Sequence, residues 1–159
     1  MKYLKGKPAE DAEHFCNCAA ELAANSKCSK AQHGAVIVKD GAIIGEGWNT
    51  PVPDGRCNPC LRTCIEDNSR VELCNAVYAQ HNAIMDALKK GHELKGTRMY
   101  HAKLKNGQIV RNDEPHFTPC SRLIQHVGIG DFVLLNEKGY CLYTSDEYNR
   151  LSYEFHERE

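Results

Sequence analysis

The residues of this chain that could do chemistry fall into two groups. The first is its cysteines, nine in all. Four of them, Cys57, Cys60, Cys64 and Cys74, are separated by two, three and nine intervening residues. A two-residue step is common between thiolate ligands, whereas a three-residue step is not a usual zinc pattern. The quartet is therefore read as a candidate structural zinc site or, less readily, an iron–sulfur site. The competing reading is two buried thiols, Cys60 and Cys74, beside two exposed ones. The second group lies in the stretch from Cys74 to Leu88, CNAVYAQHNAIMDAL. Its apolar residues Ala76, Ala79, Ala83, Ile84, Ala87 and Leu88 recur at helical spacing. It also carries Tyr78, Gln80, His81 and Asn82, more polar groups than a plain core helix needs. Helical spacing places Cys74, Tyr78 and His81 on one face. Further on, Cys120 follows Pro119 at the start of a predicted helix, a position that lowers a thiol pKa.

These groups need elements to hold them. Pro8 opens a first helix that runs toward Asn25 and Ser26, with Glu10, Asp11 and Glu13 complementing its positive end. Two β-rich runs, 35–38 and 42–47, flank Asp40-Gly41, a strong hairpin turn signal. The first run is almost wholly apolar, as expected of a strand covered on both faces. Residues 49–73 form a long proline- and glycine-containing connection, which the cysteine quartet is expected to brace. The Cys74–Leu88 helix closes at Lys89, Lys90 and Gly91. A strand over 97–104, a turn at Asn106-Gly107 and a return over 108–111 lead into a loop, 112–119. Then come a short helix from Pro119, a buried strand over 131–135 and a strand over 140–143. A capping box, Thr144 to Glu147, starts a last helix. This order predicts one α/β domain, residues 1–159, with a central mixed sheet.

Composition narrows the function. Hydrophobic content of 42% and charged content of 26% are those of a globular chain, and the net charge of −1 gives no polyanion or anionic-membrane signal. No apolar run approaches the roughly 20 residues of a membrane span, and the first residues show no secretory pattern. The expectation is a cytoplasmic protein with no specific nucleic-acid signal. In such a reducing compartment, cysteines serve as ligands, as reactive groups or as small buried hydrophobes.

Three segments together resemble the cytidine and deoxycytidylate deaminase family. The hairpin GAVIVKDGAIIGEGWN is similar to the family's opening sheet, which ends in a Gly-aromatic-Asn that contacts the nucleoside; Gly47, Trp48 and Asn49 stand there. The family's His-Ala-Glu-x-Asn-Ala helix is matched by Tyr78-Ala-Gln-His-Asn-Ala83, with Cys74 four residues upstream and Cys60-Leu61-Arg62 before it, as in the deoxycytidylate branch. The family's Cys-x-x-Cys, followed by an apolar helix and Gly-Ile, is matched by Phe117-x-x-Cys120 and SRLIQHVGI. The resemblance covers about residues 8–136, with 102–114 as an insertion. It implies a three-layer α/β/α fold with a central mixed sheet of about five strands.

It also implies a ligand set, and this chain departs from it. The family holds zinc through one histidine and two cysteines, and a glutamate moves the protons. Position by position, Tyr78 replaces the histidine, Gln80 the glutamate and Phe117 the first cysteine; only Cys120 survives. A second register, in which Cys120 is the first ligand and Leu123 the second, also leaves one cysteine short. Phenylalanine has no lone pair and a glutamine amide does not titrate near neutrality. The expectation is no catalytic zinc and no hydrolytic deamination, with Trp48, Asn49, Tyr78, Gln80, Asn82 and Cys120 kept as a site for a pyrimidine nucleotide or related base. Two alternatives stand beside it: zinc-independent chemistry using Cys120 as nucleophile or Tyr78 and His81 in proton transfer, and a metal or redox protein built on the Cys57–Cys74 cluster. Tyr78 and Phe117 are also read as plain filling of the vacated cavity, His81 as a replacement metal ligand or a surface residue, and Arg98, Lys103, Arg111 and Arg122 as phosphate contacts or an ordinary solvated face. The resemblance further implies an oligomer of this chain, or one with an active relative.

Overall fold

The computed structural model describes residues 1–66, 69–111 and 113–158. Asp67 and Asn68 in the 49–73 connection, Asn112 at the head of the 112–119 loop, and Glu159 lie outside the described residues. In chain order the elements are β1 (Lys2–Tyr3), α1 (Lys7–Ala23), β2 (Gln32–Lys39), β3 (Ala42–Trp48), β4 (Thr50–Pro51), a single 3-10 turn (Val71–Leu73), β5 (Ala76–Val77), α2 (Ala79–Lys89), β6 (Arg98–Lys105), β7 (Gln108–Ile109), α3 (Thr118–His126), β8 (Asp131–Asn136), β9 (Gly139–Thr144) and α4 (Ser145–Glu157). The main sheet runs β1-β9-β8-β6-β2-β3, with β7 paired to β6. β6 and β8 run parallel and the other neighbours antiparallel, so the sheet is mixed. The five longer strands are the expected ones. β1 is an edge addition that two residues are too short to reveal through periodicity.

Strand alternation sorts the core into two layers. Ala35, Ile37, Met99, Phe132 and Leu134 face α2, α3 and α4, packing with Ala83, Ile84, Ile124 and Tyr148. Val36, Val38, Tyr100, Ala102 and Val133 face α1, against Ala12, Phe15, Cys16 and Ala19. This is the three-layer arrangement expected. Each large side chain so buried contributes about 1.5–3 kcal/mol of transfer free energy. Close approach of helix to sheet depends on glycine. A Cβ on Gly47 would lie 2.4 Å from both the Ala79 carbonyl oxygen and the Ala83 nitrogen of α2. That contact seats the first turn of α2 on β3.

One expectation fails in an informative way. The Cys74–Leu88 helix does not start at Cys74. Residues Ala76–Val77 are extended and pair with Thr50–Pro51, and the helix begins at Ala79 with Tyr78 as its N-cap. Cys74, Tyr78 and His81 therefore share no helical face. Local periodicity missed this because the competing partner, β4, is distant in sequence. The bracing of the 49–73 connection differs too. Among the described residues, Lys30 Nζ donates to the Arg62 carbonyl at 2.5 Å and to that of Ile65. Asn75 Nδ2 donates to Asp54 Oδ1 at 2.6 Å, and Val52 N–H to the Asn75 carbonyl at 2.9 Å.

Candidate active site

The N-termini of α2 and α3 meet across an aromatic pair. Tyr78 caps α2 and Phe117 caps α3. Their rings pack edge to face, centroids 4.7 Å apart and planes at 83°. His81 packs against the Tyr78 ring at 5.2 Å and 81°. Its Nε2 lies 3.3 Å from the Pro119 carbonyl oxygen. A carbonyl only accepts, so this nitrogen carries the hydrogen and ties α2 to α3. Burial pushes the Tyr78 phenol up to about 12 and lowers the His81 pKa. The phenol therefore stays protonated near neutrality.

These caps form one wall of a cavity of about 180 Å³. Gln80 lines it, is only 7% exposed, and its side-chain amide has no hydrogen-bond partner among the described residues. An amide left open toward a cavity is a donor and acceptor for something other than the protein. Cys120 is fully buried beneath this wall, and burial pushes its thiol well above the ordinary range. The helix N-terminus does not activate it, because desolvation of a thiolate outweighs that dipole.

The opposite wall comes from β2, β6 and the loop after β7. His33 Nδ1 lies 3.1 Å from His101 Nε2, and His101 Nδ1 lies 3.1 Å from Asp113 Oδ2. The imidazoles stack at 5.3 Å and 25°. The His101 and Asp113 side chains are 6% and 10% exposed. Burial works against an ionised Asp113, yet the hydrogen bond and charge of His101 hold its carboxyl below the usual value. Burial first, then His101, lowers His33 to about 3, so it is neutral near neutrality. Asn49 positions His33 through its backbone: Asn49 Oδ1 accepts from the His33 N–H at 2.8 Å, and its Nδ2 donates to the Ala31 carbonyl at 2.9 Å. Sequence reasoning missed this wall. The available signal was strand parity: with β2 and β6 paired Ala35 to His101 and His33 to Lys103, both histidines fall on the face that carries Ala35 and Met99.

The predicted set divides. Asn49, Tyr78, Gln80 and Phe117 line the cavity, as do Cys60 and Cys74. Trp48 and Asn82 do not; they line a shallow cleft on the outer side of α2 with Met85 and Asp86. Asn82 Nδ2 donates to the Trp48 carbonyl at 2.8 Å, fastening α2 to β3. Of the four basic candidates only Lys103 lines the cavity, while Arg98 pairs with Asp131 at 2.9 Å. Cys57 is half-buried and Cys64 exposed. Among the described residues no three His, Cys, Asp or Glu side chains converge as a metal site. The residues at the helix N-termini do not fit the family's zinc: a protonated phenol, an amide, a phenyl ring and a buried thiol offer no ligand set. Among the described residues no helix is long and apolar enough to cross a membrane.

Comparison with known proteins places these features in a family context. Residues 9–136 match the model of the cytidine and deoxycytidylate deaminase zinc-binding region. The chain is 31% identical over 125 residues to a deoxycytidylate deaminase of Mycobacterium phage D29, covering 74% of this chain and 88% of that one. It is 27% identical over 132 residues to the deoxycytidylate deaminase of Schizosaccharomyces pombe, covering 80% of this chain but 37% of that protein. Among solved structures, a cyanophage S-TIM5 dCMP deaminase in complex with dCMP and dUMP superposes with a TM-score of 0.56 at 22% identity, covering 80% and 82% of the two chains. A cytidine deaminase from Burkholderia pseudomallei superposes with a TM-score of 0.59 at 13% identity, covering 86% and 94%. These structural likenesses show the fold.

Proposed function

This chain belongs to the cytidine and deoxycytidylate deaminase family, and on that premise we propose that it binds a pyrimidine nucleotide or related base without zinc-dependent deamination. The observation that carries the reading is Gln80. By the resemblance it stands where the family carries its proton-moving glutamate, yet it is an amide lining the cavity with no side-chain hydrogen-bond partner among the described residues. An amide can hydrogen-bond a ring edge but cannot shuttle a proton. The Tyr78–Phe117 pair supports the same reading, since it fills the space between the helix caps with aromatic volume and offers a flat surface for a base. The reading extends to assembly: such a protein acts as a binding or regulatory subunit, with itself or with an active relative.

The zinc-independent alternatives find less support. Cys120 is sealed from the cavity, and the His81 Nε2–H is committed to Pro119. The test is calorimetry of the purified chain with dCMP and dUMP, alongside metal analysis and an ammonia assay. The expected result is binding without stoichiometric zinc and without ammonia release. Gln80→Ala is expected to weaken binding about fivefold, the worth of one hydrogen bond near 1 kcal/mol. Zinc at one equivalent together with ammonia released from dCMP overturns the reading.

A further inference from the structure

The strand wall of the cavity carries more than a binding function needs. A buried carboxylate is satisfied by one histidine, and that histidine is held by a second. The only imidazole nitrogen of the pair without a hydrogen-bond partner among the described residues is His33 Nε2. It is not among the fully buried orphan atoms, and His33 lines the cavity. We propose that Asp113, His101 and His33 form a proton relay whose open end, His33 Nε2, serves the cavity as a hydrogen-bond acceptor and base toward a weakly acidic N–H or O–H of the bound ligand. This does not depend on the ligand being a nucleotide.

The tautomers follow from the chemistry of the chain of contacts. An ionised Asp113 only accepts, so His101 Nδ1 carries its hydrogen. His101 Nε2 is then the acceptor, so His33 Nδ1 donates to it and His33 Nε2 is left with a lone pair. The proton step balances within the triad. The ligand N–H or O–H gives its proton to His33 Nε2, and the His33 Nδ1 proton passes to His101 Nε2. The ligand ends as an anion, His33 ends neutral with its hydrogen on Nε2, and His101 ends as an imidazolium beside the Asp113 carboxylate. The charge comes to rest next to its counter-ion rather than on His33, whose surroundings disfavour it. Burial disfavours it most, followed by His101 and Lys103 from β6 and His116 from the loop, against the opposing pull of the Asp113 carboxylate. A ligand that presents only an acceptor at this point is repelled, because an acceptor facing an acceptor leaves both unpaired.

The relay makes a prediction that two merely packed histidines do not. Long-range proton–nitrogen NMR on the full chain, without ligand, reads the tautomer and charge of each imidazole. At pH 8, His33 is expected as the Nδ1–H tautomer and His101 with its hydrogen on Nδ1. As pH falls and the triad takes up a proton, His33 stays neutral and changes to the Nε2–H tautomer in a single transition. In Asp113→Asn that transition moves down by at least one pH unit. In His101→Gln the tautomer of His33 ceases to change with that transition. Finding His33 as the Nε2–H tautomer at pH 8, or finding that His33 itself becomes the cation in the transition, overturns the proposal. The wild-type measurement decides the matter even where a variant fails to fold.

Discussion

The two walls of the cavity have gone opposite ways. The helical wall sits where two helix N-termini converge, a place suited to anions, metals and activated thiols. Its side chains there are a protonated phenol, a phenyl ring, an amide and a sealed thiol. The strand wall has no helix dipole and lies on plain β ladders, yet it carries two imidazoles and a carboxylate in one hydrogen-bonded line. The hydrogen-bonded line of titratable side chains thus resides on the sheet, and the edge-to-face aromatic pair resides at the helix N-termini. The lesson is that a site's location within a fold and the chemistry done there are set separately.

Substitutions on each wall test this difference. The largest effect is expected for Gly47→Ala. The added methyl would meet α2 backbone at 2.4 Å, so α2 must shift, at a cost of about 3 kcal/mol or more in urea denaturation. Loss of the Gln80-dependent binding should accompany it, because the same turn carries that amide. Phe117→Ala removes half of the aromatic pair and opens a void. For a half-buried ring the expected loss is about 2 kcal/mol, with no gain in bound zinc. A gain of stoichiometric zinc would show that the ring, and not the missing ligands, keeps the metal out.

The strand wall is probed by pH. The unfolded chain protonates His33 near 6.5 and the native state near 3. Its stability contribution is therefore intact above pH 6.5 and lost as pH falls toward 3, at up to about 1.4 kcal/mol per pH unit. Partial exposure of His33 to the cavity trims this, so about 1–2 kcal/mol should be lost between pH 7 and 5. His33→Gln should flatten that part of the profile; parallel profiles for the two proteins would remove His33 from the account. A smaller effect separates the thiols: iodoacetamide should label exposed Cys64 readily and native Cys120 at least about a hundredfold more slowly. The smallest expected effect is none. A chelator should leave the melting temperature unchanged, because no described residues assemble a metal site.

Much of this was legible in the sequence, for physical reasons that differ by element. β2 and β8 announce themselves because strands covered on both faces must be apolar throughout. The Asp40-Gly41 and Asn106-Gly107 turns are legible because few residues adopt positive φ; Asp40, Gly41, Asn106 and Gly107 all do. Thr144 caps α4 through the Glu147 N–H at 3.2 Å, a bond between near neighbours. Which side chains stand at the positions that resemble the family's ligand set is a matter of residue identity, and identity needs no coordinates. The start of α2 was misplaced because β5 exists only through its pairing with β4, a contact that local spacing does not carry.

Residue types at fixed, local distances thus set which elements form, in what order, and which side chains stand at the start of α2 and α3. The meeting of residues far apart in the chain came instead from the packing of strands and layers. His33 and His101 are separated by 68 positions, and they touch because β2 and β6 pair in one register out of several that the apolar pattern allows. Asp113 is placed beside them by a contact with another strand, its N–H donating to the Leu135 carbonyl of β8 at 3.2 Å. Such contacts are fixed by the packing of whole layers, whose free energy is shared over many side chains and written at no single position.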